Sequence, residues 1–76
     1  MFDKTMREFL EMVCSKVWEH DGKLYILRTD WPYETPETIY NNQDLKKAYD
    51  AERFEIVEMA TEMGLTFEEY IDAITA

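Results

Sequence analysis

The sequence contains one cysteine, Cys14, and one histidine, His20, among its 76 residues. A single cysteine excludes a disulfide within the chain and is typical of proteins in a reducing compartment. The two residues lie six positions apart. That spacing puts them on different sides of a helix, so they do not predict a nucleophile with its base. They also fall short of the roughly four ligands of a structural zinc site. We therefore expect no enzyme activity, no catalytic residues, no metal site and no cofactor.

Glycine and proline are also scarce, with two of each. Isolated glycines do not form a glycine-rich phosphate loop, and the acidic residues do not follow the spacing of a calcium-binding loop. Apolar runs are far shorter than the roughly 20 residues that span a bilayer. No cationic segment leads into an apolar run that resembles a secretion signal. We expect a cytoplasmic protein, located in the host cytoplasm if its source is a virus.

Basic residues are few, because 8 lysines and arginines stand against 17 aspartates and glutamates, for a formal net charge of −9. Residues 50–76 hold eight acidic side chains and one basic one, a net −7, which leaves −2 for residues 1–49. A surface of this sign repels nucleic acid and anionic membranes and attracts basic proteins over roughly a Debye length. The charge therefore argues against direct binding to nucleic acid or membrane, and for a larger protein partner with a basic surface.

Hydrophobic residues are plentiful at 46%, and 14% of the chain is aromatic, which predicts a folded protein rather than a disordered one. A chain of this length has room for one core only. We expect a single compact domain over residues 1–76. The fold class that the patterns below predict is α+β and mainly helical, with about three helices packed on one short strand or a small β-hairpin.

The first predicted element is an amphipathic helix that begins near Asp3 or Thr5 and continues toward His20. Thr5 and Glu8 have the spacing of a capping box. Steps of three and four residues relate the apolar positions of one face, which are Phe2, Met6, Phe9, Leu10, Val13 and Val17. The Asp21-Gly22 pair after this segment is typical either of a helix end or of a tight turn.

Residues 23–29 form a short apolar run with turn signals on both sides, which predicts a β-strand. A strand needs a partner for its backbone hydrogen bonds. One alternative is a hairpin in which residues 16–20 pair with it through Asp21-Gly22 and shorten the first helix. The other is the same strand of a second copy of the chain.

Residues 30–36 contain both prolines and predict a loop, and Thr35-Pro36-Glu37 has the composition of a helix start. Apolar spacing then predicts a long helix over roughly residues 43–63, which Gly64 terminates. A short C-terminal helix follows, because Thr66 and Glu69 have the spacing of a second capping box.

Two groups of side chains are the candidate partner-binding site. The first is a row of carboxylates on the last two helices, which we expect to form one continuous anionic face. Its members are Glu52, Glu55, Glu58, Glu62, Glu68, Glu69 and Asp72. The second is Trp31 and Tyr33 in the loop, since large aromatic side chains are favoured interface anchors. The alternatives are that the carboxylates are simply the solvated face of an amphipathic helix and that Trp31 folds back over the small core.

In its size, its acidity and its lack of catalytic residues, the chain resembles small phage-encoded inhibitors, which include anti-CRISPR proteins and DNA mimics. The resemblance is one of general character and covers no specific motif. It implies an inhibitor or modulator that occupies a basic, nucleic-acid-binding surface of a larger protein. The alternatives are an adaptor or regulatory subunit that binds through apolar surface or by strand addition, and a structural homodimer.

Overall fold

The computed structural model describes residues 1–29 and 31–75, and Asp30 of the predicted loop lies outside them. This part of the chain contains three helices and three strands. In chain order they are α1 Lys4–Val13, β1 Lys16–His20, β2 Lys23–Leu27, β3 Glu37–Ile39, α2 Asn42–Glu62 and α3 Phe67–Thr75. The predicted mainly helical α+β class is confirmed.

The sheet is antiparallel, with the strand order β1-β2-β3. Trp18 pairs with Tyr25 across β1 and β2, and Leu24 pairs with Ile39 across β2 and β3. The hairpin alternative is therefore the correct one. Asp21 and Gly22 both have positive φ, 52° and 73°, as a tight turn between twisted strands requires.

Helix α1 ends at Val13, several residues earlier than the apolar periodicity predicts. Val17 therefore lies in β1 rather than on the helix. The cap is Asp3, whose side chain accepts a hydrogen bond from the Met6 backbone N–H at 2.9 Å. The capping box predicted at Thr5 and Glu8 is wrong, since Asp3 already starts the helix.

The helix start predicted at Thr35-Pro36-Glu37 is wrong, because Glu37–Ile39 is the third strand. Helix α2 matches its predicted range within one residue at each end and is capped by Asn41, whose side chain accepts a hydrogen bond from the Asp44 N–H at 3.0 Å. Gly64 ends it with φ of 75°. The Leu65 N–H donates to the Ala60 carbonyl at 2.8 Å, which is the hydrogen bond of a glycine-terminated helix.

The core lies between one face of the sheet and the two longer helices. Its buried apolar side chains are Leu10, Cys14, Leu24, Ile26, Ile39, Leu45 and Ala48. Helix α3 is more peripheral, since it has no fully buried residue. It is held mainly by ring contacts, with Phe67 stacked on Phe9 at a centroid distance of 6.2 Å and the Arg53 guanidinium lying 4.7 Å from the Phe67 ring.

Candidate functional site

Glu52, the first member of the predicted acidic row, lies on the buried side of α2 and is only 8% exposed. Its Oε1 atom accepts a hydrogen bond from Arg28 Nη1 at 2.6 Å. The same guanidinium donates to Glu37 Oε2 through Nη2 at 2.8 Å and through Nε at 3.1 Å. Glu52 is therefore a partner of Arg28 within the fold, and its predicted place in an exposed row is wrong.

Burial and pairing both shift the pKa values of Glu52 and Arg28. It raises the pKa of Glu52, and the positive charge of Arg28 opposes that rise only in part. Burial by itself would lower the pKa of Arg28, but the hydrogen bond and charge of Glu37, with the charge of Glu52, outweigh it and raise that pKa. Both charges are used to join β2 to α2, so neither is available to an outside partner.

The next three glutamates of the row, Glu55, Glu58 and Glu62, are exposed. None of them forms an ion pair with a side chain in residues 1–29 or 31–75. With 3.6 residues per turn, all three lie on the side of α2 that faces away from the core. The structure therefore brings these three carboxylates together on one solvent-facing strip.

Two large apolar side chains lie beside this strip, and neither was among the site residues predicted from the sequence. Phe54 is 65% exposed and Val57 is 46% exposed. Sequence periodicity contained the signal, because both residues lie opposite the main apolar stripe of α2. We call this side of the helix the α2 surface, and its residues are Ala51, Phe54, Glu55, Val57, Glu58, Thr61 and Glu62.

The contacts of α3 with α2 indicate which side of α3 its acidic residues occupy. Phe67 and Tyr70 contact α2. The Phe67 ring lies under the Arg53 guanidinium, and the Tyr70 hydroxyl donates to the Met59 sulfur. On a helix of 3.6 residues per turn, the acidic positions fall on the other side of α3. This α3 surface consists of Glu68, Glu69 and Asp72, which are all exposed. These carboxylates therefore face away from the contacts between α3 and α2, and one continuous anionic face across both helices stays a prediction.

Glu69 also has a role inside its own helix, where it forms the predicted capping box. Its Oε1 atom accepts a hydrogen bond from the Thr66 backbone N–H at 2.9 Å, and the Glu69 N–H donates to Thr66 Oγ1 at 3.1 Å. These hydrogen bonds with Thr66 lower the pKa of Glu69, because they favour its charged form. Glu69 therefore helps to cap the start of α3.

Trp31 and Tyr33 are 65% and 83% exposed, so neither ring folds back over the core. The rings pack edge to face with their centroids 5.7 Å apart. The turn beneath them is ordered by hydrogen bonds, since Glu34 Oε2 accepts from the Thr29 N–H at 3.0 Å and the Glu34 N–H donates to the Trp31 carbonyl at 3.1 Å. Both aromatic side chains of this hydrogen-bonded turn therefore lie in solvent.

The aromatic turn and the α2 surface are linked through the fold. Arg28 stands at the start of the connection that carries the aromatic turn, and it is bound to Glu52 in the middle of α2. Glu55 comes one helical turn after Glu52, on the exposed side. Arg28 thus joins the end of β2 to the same helix that carries the acidic strip.

Cys14 and His20 have different surroundings in the fold. Cys14 is buried in the core, and burial, followed by the charge of Glu52, raises its pKa to about 11. His20 is exposed at the end of β1. No cluster of three metal-ligating side chains occurs in residues 1–29 and 31–75.

An open groove of about 540 Å³ lies between the start of α1, the hairpin and the start of α2. Its polar groups are engaged with one another: Arg7 donates to Glu19 Oε1 at 2.8 Å, and Asn42 Nδ2 donates to the Met1 carbonyl at 3.1 Å. The polar side chains of Arg7, Glu19 and Asn42 are therefore already hydrogen-bonded within the protein.

The fold and these surfaces define a small, mainly helical α+β protein with exposed carboxylates on two helices. No helix in the described residues is both long enough and apolar enough to cross a membrane. Comparison of the chain with protein-family models, with curated proteins and with solved structures finds no significant match.

Proposed function

We propose that this protein is a small, acidic, non-enzymatic binding protein, an inhibitor or modulator that occupies a basic, nucleic-acid-binding surface of a larger protein. The observation that carries the proposal is the exposed strip of Glu55, Glu58 and Glu62, which has no cationic partner among the described side chains. Trp31 and Tyr33 supply apolar anchoring.

Like charges at helical spacing support this proposal because they oppose helix stability, at a cost of a few tenths of a kcal/mol per pair. Lysine and arginine residues of a partner would relieve that repulsion on binding. The same cationic side chains hold phosphate groups in a nucleic-acid site, so the two ligands would compete. The carboxylates of the α3 surface add to the long-range attraction between the chain and a basic partner.

The test is a charge reversal on α2 with a matched reversal on α3. The tagged chain captures basic proteins from a lysate at low salt, and a salt gradient followed by mass spectrometry identifies the retained partner. The purified partner is then titrated with wild type, with the double variant Glu55→Lys/Glu58→Lys and with Glu68→Lys/Asp72→Lys. Both variants change the net charge equally. We expect the α2 reversal to weaken binding at least about tenfold more than the α3 reversal.

Competition is the second measurement. Single-stranded or double-stranded DNA added to the complex should release the chain from its partner, and the affinity should fall steeply as salt is added. Unchanged affinity after the α2 reversal would exclude the electrostatic mechanism. A stronger effect of the α3 reversal would move the binding site to Glu68 and Asp72.

An adaptor that binds through apolar surface is a second candidate, and the exposure of Trp31 and Tyr33 favours it. Its affinity would depend little on salt and strongly on these two rings. The form of this candidate that adds a partner strand to residues 23–29 is not proposed, because β2 lies between β1 and β3 and is hydrogen-bonded to both.

A further inference from the structure

Helix α2 carries two apolar stripes on opposite sides. The first is buried and holds Leu45, Ala48, Ile56 and Ala60 against the rest of the fold. The second consists of Ala51, Phe54, Val57 and Thr61, at steps of three, three and four residues, and all four are exposed. Steps of this size are those by which one helix packs against another.

Thr61 fits an apolar stripe in spite of its hydroxyl group. Its Oγ1 atom donates to the Val57 carbonyl at 2.8 Å, so the hydroxyl is satisfied within the helix. That hydrogen bond leaves the methyl group as the part of Thr61 that an apolar neighbour meets. The second stripe therefore has two large central residues, Phe54 and Val57, between two small ends.

The charges beside the stripe determine which kind of partner fits it. One side of the stripe carries Glu55, Glu58 and Glu62. Asp50, one turn before Phe54, is already paired with Lys46, at 2.7 Å between Nζ and Oδ2. On the other side of the stripe the Arg53 guanidinium lies over the Tyr49 and Phe67 rings. A second copy of this chain would bring the same acidic strip and a further net charge of −9, so it would be repelled. The complementary partner is cationic along one edge.

We propose that the second apolar stripe of α2 binds a basic amphipathic α-helix of a partner protein. The partner's apolar face packs on Phe54 and Val57, and lysines or arginines along one of its edges pair with Glu55, Glu58 and Glu62. The stripe spans ten residue steps, or roughly 15 Å, so the partner helix needs about three to four turns. This inference rests on the proposed function and adds that charge alone is insufficient.

The probe is a fluorescein-labelled synthetic peptide of about 18 residues, with leucines at helix-packing spacing and lysines along one edge of that face. A second peptide of the same composition has its residues shuffled so that no apolar face forms. Fluorescence anisotropy at physiological salt measures both affinities. We expect the amphipathic peptide to bind wild type at least about tenfold more tightly than the shuffled one, and to gain helical circular dichroism on binding.

The decisive variant is Phe54→Ala, because Phe54 is exposed and its loss should leave thermal unfolding unchanged. It should lower the affinity for the amphipathic peptide to that for the shuffled peptide. Met12→Ala, an exposed apolar residue on α1, is the matched control and should bind like wild type. Equal affinity for the two peptides, or no effect of Phe54→Ala, overturns the helix proposal and leaves the charge-based function standing.

Two further outcomes separate the remaining possibilities. If neither peptide binds and the reversal of Glu55 and Glu58 changes nothing with the natural partner, the proposed function itself fails. If sedimentation gives twice the mass of 9.2 kDa for wild type and the single mass for Phe54→Ala, a second copy covers the stripe and the proposal is overturned.

Discussion

Arg28 in the first half of the chain and Glu52 in α2 form an ion pair with 2.6 Å between Nη1 and Oε1, and Glu52 is buried. This contact joins the end of β2 to the middle of α2. It also separates Glu52 from the other glutamates of α2. Glu52 is bound within the fold, while Glu55, Glu58 and Glu62 remain exposed.

Removing Arg28 should destabilise the protein. Arg28→Ala leaves the buried carboxylate of Glu52 without its cation, and the loss of one partner of a buried pair costs about 3 kcal/mol or more. Since 29% of the Arg28 side chain is exposed, we expect about 2 kcal/mol in the free energy of unfolding from urea titration. Lys46→Ala breaks an exposed pair with Asp50 and should cost less than about 0.5 kcal/mol. Equal losses for the two variants would contradict a special role of the buried pair.

The pKa of Glu52 predicts how stability depends on pH. Burial raises it above its ordinary value of 4.5, so the folded protein keeps this proton at a pH where the unfolded chain has lost it. The stability contributed is complete below the ordinary value and is lost as the pH rises through the raised pKa. Wild type should therefore lose stability relative to Glu52→Gln as the pH rises above 4.5. A difference that grows with pH in urea titrations would show that the Arg28 charge dominates instead.

Cys14 should react slowly in the folded protein. Burial raises its pKa to about 11, so little thiolate is present near pH 8, and the core shields the sulfur from reagents. Ellman's reagent should modify the native chain at least about 100-fold more slowly than the chain in concentrated urea. Comparable rates would place Cys14 at the surface. Glu52→Gln removes the second cause of the raised pKa and should speed native modification modestly.

Gly22 should be required for the hairpin turn because of its backbone conformation alone. Its φ is 73°, and a Cβ atom placed there meets no other atom within 4 Å. Gly22→Ala should cost about 1 kcal/mol, which lowers the midpoint of thermal unfolding by about 4–8 °C in a domain of this size. Gly22→Asn should cost less, since asparagine tolerates positive φ. Equal effects of the two substitutions would point to a cause other than backbone strain.

Much of the fold could be predicted from local sequence signals. The range of α2, the end of that helix at Gly64 and the Thr66–Glu69 capping box all depend on residues close together in the chain. The hairpin was one of two alternatives, because Asp21-Gly22 suits both a turn and a helix end. Only the pairing of β1 with β2 shows that the chain forms the hairpin.

The candidate site was harder to predict. Spacing identified Glu55, Glu58 and Glu62 as a row, and residue type identified Trp31 and Tyr33 as candidate anchors in the loop. Spacing alone did not show that Glu52 would turn toward Arg28, which lies 24 residues earlier in the chain. It also did not identify a second apolar side on α2, and so Phe54 was overlooked.

The sequence by itself determined the acidity of the chain, its helical periodicities and its turn and cap positions, because these depend on composition and on neighbours within about one helical turn. Only the tertiary structure decided that Glu37–Ile39 is a strand, since its backbone hydrogen bonds go to β2 and override the helix signal of Thr35-Pro36. Tertiary packing also decided that Glu52 is separated from the exposed carboxylates of α2, because the fold buries it beside Arg28, which lies 24 residues earlier in the chain.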